Sequence, residues 1–392
     1  MKKVTEAIQT AFPRKDPYGS LAMPVYDCLA YEFPDHQAMI ESFTAVSDDP
    51  DYSRVTNPTV IFLEKVVKTL TGAKEVVAFT SGMAAIAAVF MSVAGAGRRV
   101  VTSRHLFGNT YLLLTETLRR FGVETVLVDL TDLDAVRAAV NDNTACIYME
   151  TVTNPQMEVA DVKALSEIAH SVGAPLVADT TMIPFIYTDS RALGIDIEVL
   201  SSTKYLSGGA TSLGGMVIDY GYADFAHTLR RDVLMNLGGY MTPHPAYMQT
   251  LGLETLDARY ERQESNALAV ARALEARGDV EVCYPGLPSN PWHDICARQF
   301  GGRFSAMLTF SLPSEEACFR FIDSLRMVRR ATNLFDNKTL AIHPASTIFG
   351  TIDAETRKTM DVSDRLIRLS VGLEDSADII ADLNQAIDSA IK

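Results

Sequence analysis

Lys204 stands where a lysine can do covalent chemistry. It closes the stretch Ile195-Asp196-Ile197-Glu198-Val199-Leu200-Ser201-Ser202-Thr203, and Tyr205-Leu206-Ser207-Gly208-Gly209 follows it. An apolar, strand-like run thus delivers a cluster of small hydroxyls, one amine and a glycine turn. Desolvation and cationic neighbours lower a lysine's pKa, so an amine presented this way is suited to a Schiff base with an aldehyde cofactor. The plainer reading is a solvated lysine just past a strand, since lysine is usually exposed.

An aldehyde cofactor carrying a phosphate and a pyridine ring makes further demands. The phosphate needs a helix N-terminus with glycine for close approach. Phe79-Thr80-Ser81-Gly82-Met83-Ala84-Ala85 offers a strand end, a Ser-Gly turn and an alanine-rich helix; ordinary capping by Ser81 explains the same residues. The ring nitrogen needs an anion to stay protonated, so that the ring can act as an electron sink. Asp179 ends the apolar run Pro175-Leu-Val-Ala-Asp179, where an unpaired carboxylate would be costly; it could instead cap the next turn. Guanidinium and hydroxyl groups also suit a phosphate. Tyr52 and Arg54, in Asp51-Tyr-Ser-Arg-Val-Thr-Asn-Pro58, are candidates, though such a segment also reads as a turn before a helix. An α-carboxylate substrate needs a bidentate partner. Arg368 lies in Leu366-Ile-Arg-Leu-Ser-Val-Gly372. Period-two alternation puts Ile367, Leu369 and Val371 on one face and Leu366, Arg368 and Ser370 on the other. The arginine then faces either solvent or a cleft.

These residues need a scaffold, and the chain predicts one. At 392 residues it is too long for one ordinary core. Residues 1–56 show little periodicity and interleave proline with aromatics (Pro13, Pro17, Tyr18, Pro24, Tyr26, Tyr31, Phe33, Pro34), which reads as an extended arm needing a surface to lie on. Residues 57–255 alternate helix and strand. Strands are expected at 75–79, 99–102, 124–128, 145–149, 176–179, 197–200 and 215–218. Helices are expected at 58–71, 82–93, 110–121, 132–140 and 162–172. Apolar strands alternating with helices indicate an α/β fold with a mostly parallel sheet covered on both faces, in which ligands bind at the carboxyl ends of strands. Residues 256–392 read as a smaller α+β domain, with helices at 256–276 and 377–391 and strands at 306–310 and 366–371. The net charge of −14 argues against a nucleic-acid partner or an anionic membrane surface. No uncharged apolar run reaches the ~18 residues of a membrane span. The five cysteines form no CxxC and look like free thiols of a reducing cytosol. The seven histidines show no metal-ligand spacing.

In this order the segments resemble the Cys/Met-metabolism family of pyridoxal-phosphate enzymes, of fold type I. The family includes cystathionine synthases and lyases, methionine γ-lyase and the O-acylhomoserine sulfhydrylases. The resemblance spans nearly the whole chain: YSRxxNP at Tyr52–Pro58, SGMAA at Ser81–Ala85, E-x3-NP at Glu150–Pro155, the strand-end Asp179, S-x-TKY at Ser201–Tyr205, HPAS at His343–Ser346 and RLSVGLE at Arg368–Glu374. It implies a mostly parallel seven-stranded sheet in the large domain. It makes Lys204 the Schiff-base lysine and α-proton base, and pairs Asp179 with the pyridinium of pyridoxal 5′-phosphate. The phosphate would fall to Ser81 (a glycine in some members), the Gly82-Met83 backbone, Ser201 and Thr203, with Tyr52 and Arg54 from a neighbouring subunit. Asn154, Arg368 and Thr339 would bind the substrate. The arm would complete a site shared across a dimer, two such dimers forming a cytoplasmic homotetramer.

The chain also departs from the family pattern. A tyrosine usually stacks on the cofactor in Y-G-x-T; here the segment is Phe107-Gly108-Asn109-Thr110. Phe107 can stack but lacks a phenol to assist a leaving group, which suits an acyl ester better than a thiol. Methionine γ-lyases typically place a cysteine where this chain has Asn109. The E-[ST]-P-x-N-P segment reads Glu150-Thr-Val-Thr-Asn-Pro155, and the loop usually ending E-S-L reads Asn337-Lys338-Thr339-Leu340. Lys338 is either a partner for an anionic leaving group or a solvated loop residue. The expected reaction is γ-replacement on an O-acylhomoserine, acetyl above succinyl, by a sulfur nucleophile to give homocysteine for methionine biosynthesis. Methionine γ-lyase and cystathionine γ-synthase or γ-lyase activities are the alternatives. A nicotinamide oxidoreductase would need a glycine fingerprint at its first βα turn; Gly95-Ala-Gly97 lacks the third glycine and precedes a strand.

Overall fold

A computed structural model describes residues 2–12, 16–44, 46–47 and 49–392. Pro13 of the arm lies outside them. The strands are β1 (Glu75–Phe79), β2 (Arg99–Ser103), β3 (Glu124–Val128), β4 (Thr144–Glu150), β5 (Leu176–Asp179), β6 (Ile197–Leu200) and β7 (Gly215–Asp219), then β8 (Glu281–Cys283), β9 (Met307–Ser311), β10 (Arg329–Arg330), β11 (Leu340–Ile342) and β12 (Leu366–Ser370). The first seven form one α/β sheet in the order β1-β7-β6-β5-β4-β2-β3, and the other five form a smaller sheet in the order β10-β11-β12-β9-β8. β2 pairs in parallel with β3 and β4, and β4 with β5. β1 runs antiparallel to β7 at the edge. β4 is buried along its whole length, as expected of a strand covered on both faces.

The chain divides into two compact units, residues 1–93 with 199–255 and residues 94–198 with 256–392. In the first unit, Asn57 caps the helix Pro58–Thr71 through its side chain, Pro58 opens it, and Gly72 at φ +66° ends it in the left-handed conformation. The apolar helix Gly82–Val93 follows β1 directly. The segment read as an extended arm contains two short helices, Lys3–Gln9 and His36–Phe43. The second begins where the Asp35 side chain accepts from the Ala38 N–H, a cap that proline-rich surroundings hide from periodicity.

In the second unit, β9 pairs antiparallel with β12 and β8. Phe310 meets Phe321 edge to face at 5.4 Å, joining that sheet to the helix Glu315–Ser324. The helix expected over 110–121 is irregular. One α-helical stretch, Gly108–Leu112, passes into π-helix over Leu113–Thr117 and 3₁₀ over Leu118–Phe121. A physical reason is visible: the Thr125 hydroxyl donates to the Leu114 carbonyl at 3.2 Å, and Thr115 donates back to Tyr111 at 2.8 Å, so side chains compete for the helical ladder. Tyr111, Leu112 and Ile348 pack on the buried cluster Ala345, Phe349, Ile352, Met360 and Val362, which seats this helix. No helix among the described residues is long and apolar enough to cross a membrane.

Candidate active site

The first unit carries Lys204 and the expected phosphate donors. β6 is buried at all four positions, so the chain leaves it along a fixed direction. The Lys204 N–H donates to the Ser201 carbonyl at 3.2 Å, and a short 3₁₀ turn, Tyr205–Ser207, follows and closes on Gly208 at φ +72°. Tyr205 and Leu206 are buried. The helix Pro243–Glu254 backs this turn so closely that a Cβ on Gly252 would lie 1.8 Å from the Leu206 carbonyl oxygen. Lys204 itself is half-buried.

Ser81 caps the helix Gly82–Val93, its hydroxyl accepting from the Ala84 N–H at 3.1 Å. The glycines here have a packing reason. A Cβ on Gly82 would lie 2.7 Å from the Ser201 Cβ, and one on Gly215 would lie 2.2 Å from the Ser81 carbonyl oxygen. A bare glycine at each position lets a helix N-terminus, the positive end of the helix dipole, sit flush against Ser201. The Thr203 hydroxyl donates to the Gly214 carbonyl at 3.1 Å and accepts from the Gly214 N–H at 3.0 Å. It braces the loop rather than pointing idle. Tyr52 and Arg54 do come together, with the guanidinium carbon 5.6 Å from the ring centroid. Arg54 also donates to the Met235 carbonyl. From there the chain runs to Gly239, whose carbonyl accepts from the Thr80 N–H at 2.9 Å, linking Arg54 to the strand end that delivers Ser81.

The second unit carries the groups expected around a ring and a carboxylate. Asp179 ends β5. It accepts from the Thr181 N–H at 2.8 Å and from the Tyr148 hydroxyl at 3.4 Å. Burial raises its pKa above the ordinary carboxylate value, and bonds from Thr181 and Tyr148 offset this only in part. The carboxylate is short of positive charge, which a pyridinium N–H would supply. Glu150, adjacent to Asp179 in register on β4, accepts from the Phe107 N–H at 2.7 Å and the Asn154 N–H at 3.1 Å. Burial, then the nearby Asp179, push it up to about 8.

Arg368 has the opposite deficit. It is buried, and donates to the Asn154 Oδ1 at 3.1 Å and the Thr332 carbonyl at 2.9 Å. Burial alone lowers its pKa to about 9, with no carboxylate offsetting that shift. A buried guanidinium held only by neutral acceptors is built to receive an anion, so the face reading resolves away from solvent. Thr339 differs from the expectation in what it has left to offer. Its N–H and hydroxyl both bind Glu374 at 2.8 Å, and its carbonyl accepts from the Arg329 N–H. Lys338 is exposed and lies 3.6 Å from Asp336.

Tyr148 and the role of Glu150 were not found from the sequence. The signal was available: two polar residues at period two in an otherwise apolar buried strand share one face. His105, held by Glu158 at 3.1 Å and Asp361 at 2.8 Å, was hidden because its partners are distant in sequence.

In the second unit a deprived anion and a deprived cation suit a pyridinium and an amino-acid carboxylate; in the first, a glycine-lined helix N-terminus and a strand-end lysine suit a phosphate and an aldehyde. Known proteins identify the family. The chain is 37% identical over 95% of its length to an O-succinylhomoserine sulfhydrylase of Pseudomonas aeruginosa, 92% of which it covers. It is 36% identical, over 95% of both chains, to an L-methionine gamma-lyase of Fusobacterium nucleatum. Among solved structures it matches a putative O-acetylhomoserine (thiol)-lyase of Campylobacter jejuni with a TM-score of 0.94 and 31% identity, covering 99% of this chain and 100% of that one; that protein carries a pyridoxyl-lysine-phosphate at its position 205. A sequence model described as Cys/Met metabolism PLP-dependent enzyme matches residues 4–388, and the chain belongs to that pyridoxal-phosphate-dependent family.

Proposed function

We propose that this enzyme catalyses γ-replacement on an O-acylhomoserine, O-acetylhomoserine foremost, with a sulfur nucleophile, giving homocysteine for methionine synthesis. The observation that carries the reading is Phe107. It occupies the position of the family's stacking tyrosine, so no phenol is offered to the leaving group. A carboxylate, with an acid pKa of about 4, departs without a proton, whereas a thiolate of pKa about 8.5 benefits from one. Bound pyridoxal phosphate supplies an electron sink beside the substrate's Cα. Ser81, the Gly82-Met83 backbone, Ser201 and Thr203 would hold its phosphate, Asp179 its ring nitrogen, and Phe107 its ring face. Arg368 and Asn154 hold the substrate carboxylate. Thr339 then supports the loop through Glu374. The Lys204 amine takes the proton from Cα, would pass it to the bound cofactor, and, neutral again, takes one from Cβ. The Cγ–O bond breaks with its electron pair leaving on the carboxylate, the sulfur anion's electron pair forms the Cγ–S bond, and Lys204 returns the two protons to Cβ and Cα.

Methionine γ-lyase is the second reading, favoured by relatives of that name; Asn109, where those enzymes typically have cysteine, stands against it. The same proposal makes the chain part of a cytoplasmic homotetramer of site-sharing dimers, with 1–56 as the arm, 57–255 as the cofactor domain and 256–392 as the smaller domain. Steady-state assays pair O-acetyl- and O-succinylhomoserine with sulfide, cysteine and methanethiol, beside methionine and cystathionine alone. Homocysteine from acetylhomoserine and sulfide is expected. Turnover of methionine or cystathionine without any use of an acylhomoserine would overturn the proposal.

A further inference from the structure

We infer that Glu150 is a positioning residue that fixes the Phe107 and Asn154 loops relative to each other, and so sets the distance between the ring-stacking face and the substrate-carboxylate contact. The inference rests on the pyridoxal reading of the site.

Glu150 is the last residue of β4, and its backbone lies in register with Asp179 of β5. Its two oxygens are divided between two loops: Oε1 takes the N–H of Phe107, and Oε2 takes the N–H of Asn154. Phe107 precedes the helix Gly108–Leu112. Asn154 passes the constraint on through its side-chain oxygen to the Arg368 guanidinium. One rigid carboxylate thus spans the stacking residue and the anion receptor. The charged and titratable groups facing it are Asp179 on β5 and Tyr148 on its own strand. A second buried acid beside Asp179 is an expensive way to tie down a surface loop. It is a fitting way to fix two backbone donors at once, because a carboxylate accepts from both whereas an amide presents one acceptor and one clashing donor.

The test uses the purified holoenzyme with E150Q and E150D. Both should keep the cofactor's visible absorbance, because Lys204 and the phosphate donors are untouched. In E150Q the visible circular-dichroism band should change, and KM for the acylhomoserine should rise about tenfold while kcat moves less, as expected when one buried hydrogen bond that places a substrate contact is lost. The E150Q effect on KM should be non-additive with Asn154→Ala. In the wild-type enzyme, where no variant has to fold, the Phe107 and Asn154 amides should be slow to exchange with deuterium. Unchanged KM and dichroism in E150Q, additive effects with Asn154→Ala, or rapid exchange at either amide would overturn the inference. A wild-type preparation with no visible chromophore would instead take down the pyridoxal reading and this inference with it.

Discussion

The charge deficits around Asp179 and Arg368 are the most informative features at the scale of single residues. A buried acid shifted up and a buried guanidinium shifted down each mark a group waiting for an opposite charge. For Arg368 the geometry adds shape. The fork spends one Nη on Asn154 and the other on Thr332, so a carboxylate must be received by the remaining N–H groups of a planar donor. Lysine keeps the charge but loses that fork. Arg368→Lys is therefore expected to raise KM for the amino-acid substrate about ten- to a hundredfold with a smaller change in kcat, the mark of lost ground-state binding. Parallel steady-state measurements decide it. An unchanged KM would mean the carboxylate is held elsewhere.

At the scale of elements, His105 ties three segments of the second unit. It follows β2, and its ring bonds Glu158 in the loop after β4 and Asp361 after the helix Ala354–Thr359. Arg104 lies 3.4 Å from Asp361, and Asp129 faces the same imidazole. Burial disfavours the charged ring, but Glu158 and Asp361 outweigh it, and the pKa is raised above 6.5. A folded-state pKa above the unfolded one gives stability that is fully present below about 6.5 and lost as pH rises through the raised value. His105→Gln should therefore lower the melting temperature most near pH 6, by the equivalent of about 1 kcal/mol given that Asp361 is half-exposed, and less at alkaline pH. Thermal scans across pH test this; a pH-independent difference would contradict it. His105 also marks the limit of sequence reading. Elements with a clean local code, such as the capped helix Pro58–Thr71 and the apolar strands Glu75–Phe79 and Leu176–Asp179, were legible to the residue. Ser81, Asp179 and Lys204 stand at or just beyond the ends of the strands where the sequence puts them, because they inherit position from those strands. What was not legible depends on partners far along the chain: the distorted helix after Leu112, the commitment of Thr339 to Glu374, and the division of Glu150 between two loops.

At the scale of the whole molecule, the arm poses the remaining physical problem. Tyr18 and Leu21 are almost fully exposed, and Leu29 and Phe43 are more than half exposed. Apolar side chains in that density call for cover, and an acidic chain of net charge −14 is not seeking nucleic acid. A second copy is the cover our functional proposal supplies, and under it the Tyr52–Arg54 pair at the arm's end would have a chemical purpose. In a two-fold dimer, each site would then combine Lys204 of one subunit with Arg54 of the other. Lys204→Ala and Arg54→Ala homodimers should each be inactive or nearly so. Mixed by co-expression or by unfolding and refolding together, they should recover activity, because every heterodimer rebuilds one intact site from the Lys204 of the Arg54→Ala chain and the Arg54 of the Lys204→Ala chain. Random pairing makes half the dimers mixed and half of their sites whole, so about a quarter of wild-type activity is expected. If Arg54 serves the site of its own chain, where it now bonds the Met235 carbonyl, every site in the mixture lacks one of the two residues, and mixing recovers nothing.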